Sequence, residues 1–151
     1  APYEIFTGLV DEDSRNIPKS VENGFIVKEK DVKTGLTRYD FHFVDKYGYT
    51  NIVGGISHMF NKEYWNYAKL ISGVLRHGMP IVDVLNLING LSLDSEAINT
   101  WKNGVERSLK RYIPDGTKDD TGKKCSKCNS NNLVYQEGCL VCMNCGYSKC
   151  G

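Results

Sequence analysis

The chain has 151 residues, enough for one ordinary domain or for one domain plus a small metal-stapled module. Its formal net charge of +1 is too small to produce a strong electrostatic potential that would attract nucleic acid or an anionic membrane. No apolar run approaches the roughly 20 residues of a membrane helix, and no signal-peptide pattern opens the chain. We therefore expect a cytoplasmic protein with no membrane partner.

The first half of the sequence predicts short antiparallel strands joined by tight turns. Alternation of apolar and polar residues predicts the first of them at Tyr3–Thr7. The same pattern predicts further strands at 24–28, 38–43 and 49–53. Gly35 is expected to adopt a positive φ in the turn between the second and third strands.

The following segment predicts three helices. Asn61 is the expected N-cap of the first helix, Gly78 ends it, and Pro80 fits the first turn of the second. Pro114 stops the third. The apolar side of that third helix is predicted to comprise Ile98, Trp101, Val105, Leu109 and Tyr112. Strands followed by helices predict an α+β domain at 1–113, with about three helices packed on a small antiparallel sheet.

Residues 114–124 are predicted to be a linker. The stretch from 115 to 124 is polar, with two glycines and no apolar side chain. Ten residues span at most about 35 Å when extended, so the module at 125–151 is expected to be separable from the main domain.

All six cysteines lie in that terminal module. Two Cys-x-x-Cys pairs, Cys125/Cys128 and Cys142/Cys145, are separated by 13 residues, which is the spacing of a four-thiolate zinc ribbon. A 27-residue segment with few apolar side chains buries too little surface to fold alone, so metal binding would supply the missing free energy. The sequence therefore predicts a Zn²⁺ site and a zinc-ribbon tail.

Two sets of four ligands fit this spacing. The first set is Cys125, Cys128, Cys142 and Cys145, favoured because Gly146 completes a second knuckle after Cys145. The other set replaces Cys145 by Cys139, since Cys139 and Cys142 also form a Cys-x-x-Cys pair. Either set leaves two cysteines over. These two are either passive or a dithiol that cycles through a disulfide, and Cys150 is expected to be an exposed, mobile thiol beside Lys149.

The tail from Tyr135 to Cys150 closely resembles the C-terminal tail of vitamin B12-dependent (class II) ribonucleotide reductases. In that family a cysteine-rich zinc-finger tail ends in Cys-Gly-Tyr-Ser-Lys-Cys or a near variant, which is present here at 145–150. The stretches 2–6 and 67–80 are similar to the accessory domain that precedes the tail in these enzymes.

The resemblance implies a function in redox chemistry. These reductases convert ribonucleotides to deoxyribonucleotides for DNA synthesis, and each turnover oxidises an active-site dithiol. A C-terminal cysteine pair then re-reduces that disulfide and is itself reduced by a thioredoxin-type partner. Carried over, the redox shuttle pair is Cys139 and Cys150, or Cys145 and Cys150 under the second ligand set, and the substrate is a ribonucleoside diphosphate or triphosphate.

The resemblance does not extend to the catalytic machinery. Nothing in the chain resembles the ten-stranded catalytic barrel, its radical cysteine or the surface that holds adenosylcobalamin. We therefore expect a C-terminal piece of an oxidoreductase that works with the barrel of its parent reductase, and that neither binds the cobalamin nor reduces ribonucleotides alone. The alternative from another class is a stand-alone zinc-ribbon module that binds nucleic acid or a protein partner; the charge balance makes nucleic acid the weaker of the two.

Overall fold

The computed structural model of the chain describes residues 1–8, 17–93 and 97–150. Its described part contains two small antiparallel sheets, three α-helices and a cysteine cluster in the tail. The α+β fold class and the zinc-ribbon-like tail expected from the sequence are thus confirmed. No helix in these residues is long and apolar enough to cross a membrane.

The chain divides into two compact units, one of Phe6–Lys69 and one of Ala1–Ile5 with Leu70–Gly151. The predicted boundaries at 113/114 and 124/125 stay a prediction. Each unit has a sheet of its own.

The first unit contains a three-stranded antiparallel sheet in the order β1-β2-β3. Its strands are β1 (Phe25–Lys30), β2 (Thr37–Val44) and β3 (Thr50–Val53). The turn between β1 and β2 contains Gly35 at φ 69°, as its sequence predicts. Because side chains alternate between the faces of a strand, β2 directs Tyr39, Phe41 and Phe43 to one side. A cluster of apolar side chains forms there around Phe43, Val53 and Ile56.

Asp40 is the one charged side chain of β2 that is buried, at 4% exposure. Its Oδ1 accepts a 2.7 Å hydrogen bond from the backbone amide of Gly55, and its Oδ2 pairs with Arg38 at 2.9 Å. The Gly55 amide, opposed by burial and aided by Arg38, lowers the pKa of Asp40. Asp40 therefore joins β2 to the turn that follows β3.

Three helices follow, α1 (Lys62–Arg76), α2 (Ile81–Asn89) and α3 (Ala97–Lys110). Asn61 caps α1 as expected, because its Oδ1 accepts a 3.0 Å hydrogen bond from the amide of Glu63. Gly78 adopts φ 76° just after α1. Pro80 lies one position earlier than expected, at the N-cap of α2.

The helices of the second unit bury one side each. On α3 and just after it, the buried residues are Trp101, Val105, Leu109 and Ile113. Tyr112, expected on the buried side, is 56% exposed because the helix ends at Lys110 and the chain turns, which buries Ile113 instead. The side chain of Ile98 lies outside the described part. Lys102 reaches from α3 to the carbonyl oxygens of Asn89 and Leu91, where a cation stabilises the carboxyl end of α2.

The predicted strand at Tyr3–Thr7 is wrong, since these residues form no strand. Ser72 on α1 instead bonds the main chain of Ile5 twice: its Oγ accepts from the amide at 3.0 Å and donates to the carbonyl at 3.2 Å. Glu4 also pairs with Arg76 at 2.6 Å. An alternating pattern indicates an extended segment but does not identify its partner. Here the partners are the side chains of Ser72 and Arg76 on α1, and not a neighbouring strand.

Candidate metal centre and thiol pair

The tail is built on a tight hairpin of β4 (Leu133–Gln136) and β5 (Cys139–Cys142). The two turn residues, Glu137 and Gly138, have φ values of 50° and 77°. Positive φ at both positions is the geometry of a type I′ turn, whose twist suits a two-residue hairpin. A third strand, β6 (Ser148–Lys149), pairs with the other edge of β5.

Each Cys-x-x-Cys pair lies in a tight turn, called a knuckle here, and the two knuckles cover residues 125–130 and 142–147. Both knuckles contain the same two backbone hydrogen bonds. In the first, the amide of Cys125 donates to Ser130 O at 2.8 Å and the amide of Asn129 donates to Cys125 O at 2.9 Å. In the second, the amide of Cys142 donates to Tyr147 O at 2.8 Å and that of Gly146 to Cys142 O at 2.9 Å. The fifth residue of each knuckle has a positive φ, 58° at Asn129 and 72° at Gly146. Asparagine and glycine are the residues that tolerate this conformation best.

The knuckles bring together the sulfurs of Cys125, Cys128, Cys142 and Cys145, which all lie within 4.8 Å of one another. The Cys125–Cys145 and Cys128–Cys142 sulfur distances are 3.6 Å and 3.5 Å. A tetrahedral ion with Zn–S bonds of about 2.3 Å would set its sulfurs about 3.8 Å apart. The donor set and its spacing therefore fit a structural metal site closed by four thiolates.

Backbone amides favour the thiolate form at Cys125 and Cys142. The Ser130 amide acts in the same direction at Cys128, but hydrogen bonds with the other three thiols and burial outweigh it and raise the pKa of Cys128 to about 12. The amide of Lys127 points at Cys125 Sγ, 3.4 Å away. Burial raises the pKa of the Cys142 thiol, but the amides of Cys145 and Asn144 outweigh it and lower that pKa to about 6. Such amide contacts orient metal ligands and stabilise their charge.

The metal site also forms the core of the tail. Cys125 and Cys142 are buried with Leu133, and Leu140 and Tyr147 pack against them. This cluster is too small to fold a sheet by apolar burial alone. A cation at the four sulfurs would therefore hold the two knuckles and the hairpin together.

The remaining cysteines lie at the other end of β5. The β5–β6 register pairs Leu140 with Lys149, so Cys139 and Cys150 stand opposite each other in the next position. Their Cα atoms are 4.4 Å apart and their sulfurs form a disulfide. Cys139 is half-buried, whereas Cys150 is exposed.

The segment before the tail runs alongside β4. Lys118 pairs with Val134, and the amides of Gly116 and Asp119 donate to the carbonyls of Tyr135 and Leu133 at 2.8 Å and 3.0 Å. The carboxylate of Asp115 accepts a 2.7 Å hydrogen bond from the amide of Glu137. Residues 116–119 therefore bind along the free edge of β4 through main-chain groups, and the Asp115 side chain binds the hairpin turn. Neither kind of hydrogen bond requires apolar side chains in this segment.

The structure thus brings together the first of the two predicted ligand sets and joins Cys139 to Cys150. Under the second set Cys139 would be a ligand and Cys145 would be left over, and the structure shows neither arrangement. Sequence reasoning missed Asn129. This residue is equivalent to Gly146, because each lies four positions after the first cysteine of its knuckle. It also missed Gly138, which the Glu-Gly pair between two apolar runs signals.

The fold and the cysteine cluster together define the class of protein. It is a small α+β domain followed by a zinc-ribbon-like module with four clustered cysteines. A family model for the NrdJ homologue C-terminal domain matches residues 1–114, about three quarters of the chain, and the chain belongs to this family. The match confirms the expected likeness to the C-terminal region of a vitamin B12-dependent ribonucleotide reductase, and the cysteine tail lies beyond the matched residues. Searches of curated proteins and of solved structures gave no match.

Proposed function

We propose that this chain is the C-terminal part of an adenosylcobalamin-dependent ribonucleotide reductase and that its tail is a redox shuttle. Cys125, Cys128, Cys142 and Cys145 hold a Zn²⁺ ion that folds the tail. Cys139 and Cys150 carry reducing equivalents to the active-site disulfide of the catalytic barrel. A thioredoxin-type dithiol then restores the pair. The observation that carries this proposal is the division of six cysteines into one cluster of four and one bonded pair.

The two groups of cysteines are separated along one strand. Cys142 ends β5 and Cys139 begins it, so two residues, Leu140 and Val141, and about 10 Å of strand lie between them. Disulfide exchange at one end therefore leaves the metal thiolates out of reach. The bound cation supplies fold stability to the tail, and the thiol chemistry belongs to Cys139 and Cys150 alone.

The pair has the accessibility that exchange with two partners requires. Thiol–disulfide exchange needs a thiolate to approach along the axis of the S–S bond, so at least one sulfur must be open to solvent. Cys150 is exposed and follows the edge strand β6. Both the barrel disulfide and a thioredoxin-type protein present their reactive sulfurs from outside this chain, and one exposed sulfur serves both.

The proposal is tested on the full chain loaded with zinc. We expect a thioredoxin, its reductase and NADPH to reduce one disulfide per chain, seen as NADPH consumption, while the zinc content stays constant. The Cys139→Ser, Cys150→Ser double variant is the matched control and should consume none. Failure of the wild-type disulfide to be reduced while thioredoxin reduces insulin in the same solution would overturn the shuttle.

A second measurement addresses the transfer itself. The reduced, zinc-loaded chain is mixed with the oxidised catalytic barrel of a B12-dependent reductase, and the barrel thiols are counted after separation. Two thiols should appear on the barrel as one disulfide forms on the chain. Salt-dependent binding of the same protein to DNA or RNA, with no thiol transfer, would favour the nucleic-acid module instead.

A further inference from the structure

The two cysteines of the pair differ in how firmly the fold holds them. Cys139 follows the hairpin turn directly, and that turn is packed against the end of α3. A Cβ added to Gly138 would lie 3.3 Å from backbone atoms of Lys110 and Arg111. The preceding amide, of Glu137, is bonded to Asp115. Cys139 is therefore fixed by the turn on one side and by β4 on the other.

Cys150 has much weaker support once the disulfide is open. It follows β6, a strand of two residues that pairs only with Leu140 and Val141. Short edge strands with exposed hydrogen bonds open at low free-energy cost. Reduction of the disulfide thus leaves Cys139 in place and allows Cys150 to move with the end of β6.

From this asymmetry we propose distinct roles within the pair, an inference that rests on the proposed shuttle function: Cys150 exchanges with the partner disulfide, and Cys139 is the resolving thiol. The Cys150 thiolate attacks one sulfur of the partner disulfide. That S–S bond breaks, a Cys150–partner disulfide forms, and the partner sulfur that leaves takes up the proton lost by Cys150.

The second step returns the pair to the form seen in the structure. The Cys139 thiolate attacks Cys150 Sγ, the mixed disulfide breaks, and the second partner sulfur leaves and is protonated. Two electrons and two protons have then passed from the pair to the partner. Regeneration runs the same way in reverse, with a thioredoxin-type dithiol attacking Cys150 Sγ and Cys139 leaving as a thiolate.

The experiment compares two single variants of the full zinc-loaded chain. Cys139→Ser keeps Cys150 as the free thiol, and Cys150→Ser keeps Cys139. Each is mixed with excess 5,5′-dithiobis(2-nitrobenzoate), and the fast absorbance change is followed while a zinc indicator shows that the metal stays bound. We expect Cys150 to react at least tenfold faster than Cys139. Equal rates, or a faster Cys139, would overturn the assignment.

A trapping measurement on the wild-type pair separates this inference from the shuttle itself. The oxidised chain is incubated with a thioredoxin whose resolving cysteine is replaced by serine, and the mixed disulfide is mapped by peptide mass spectrometry. Attachment at Cys150 supports the assignment. Attachment at Cys139 overturns the assignment but leaves the shuttle intact, and absence of any mixed disulfide contradicts both.

Discussion

Gly138 faces the backbone of Arg111 so closely that a Cβ on the glycine would lie 3.3 Å from both N and Cα of the arginine. The hairpin turn of the cysteine tail therefore packs against the carboxyl end of α3 within the second unit. This contact, together with the pairing of residues 116–119 along β4, connects the fold of the helices to the position of Cys139.

Replacing Gly138 by alanine tests this contact. The residue has φ 77°, which costs a β-carbon about 1 kcal/mol, and contact with helix backbone adds about 1 kcal/mol or more. Gly122→Ala is the control, since it has φ 75° but no atom within 4 Å of its added Cβ. In urea unfolding of the zinc-loaded protein, Gly138→Ala should lose clearly more stability than Gly122→Ala. Equal losses of stability in the two variants would mean that the hairpin turn does not pack against α3.

Removal of one metal ligand should unfold the tail. Cys142 is fully buried among the four sulfurs, so Cys142→Ser should weaken zinc binding by about 100-fold or more, since even outer-shell changes cost 10–100-fold. Amide protection in β4 and β5 should disappear with the metal. Cys139→Ser should keep about one zinc per chain and the protection. Metal analysis and hydrogen exchange report both effects, and a Cys142→Ser protein that retains zinc would contradict the ligand set.

The parts of the site that could be predicted from sequence are those set by local spacing. A Cys-x-x-Cys knuckle fixes two sulfurs within one turn, so Cys125/Cys128 and Cys142/Cys145 are visible without a fold. The choice between Cys139 and Cys145 needed the β5–β6 register, which a two-residue strand does not signal.

The features that escaped prediction depend on main-chain groups that form hydrogen bonds with distant parts of the chain. Residues 116–119 carry no apolar pattern, yet their amides and carbonyls complete the edge of β4. Tyr3–Thr7 has a strand pattern, yet Ser72 bonds its backbone instead. The hydropathy pattern of a sequence predicts which side chains are buried. It does not predict which hydrogen-bonding partner an unpaired backbone group will find, and both of these features depend on that partner.

Acid should reveal the contribution of Asp40 to stability. Its folded pKa is lowered, chiefly by the Gly55 amide, below the ordinary value of about 3.9. Its contribution is therefore complete above pH 4 and is lost as the pH falls through the folded pKa. The thermal unfolding temperatures of wild type and Asp40→Asn should differ most near pH 6 and draw together as the pH falls through the lowered folded pKa of Asp40. Asp120→Asn, at an exposed position, should follow wild type throughout; a constant gap for Asp40→Asn would contradict the linkage.

Ser72→Ala should release the segment at the start of the chain. Ser72 is 5% exposed, and the variant removes both hydrogen bonds to Ile5, leaving a main-chain amide and carbonyl without their partner. We expect a loss of about 1–3 kcal/mol in the free energy of unfolding and faster amide exchange at Ile5. Ser108→Ala is the matched control, because its exposed hydroxyl bonds only Gly104 O within α3, and its loss should stay within about 0.5 kcal/mol. If both variants cost the same and Ile5 remains protected, Ser72 does not anchor the segment.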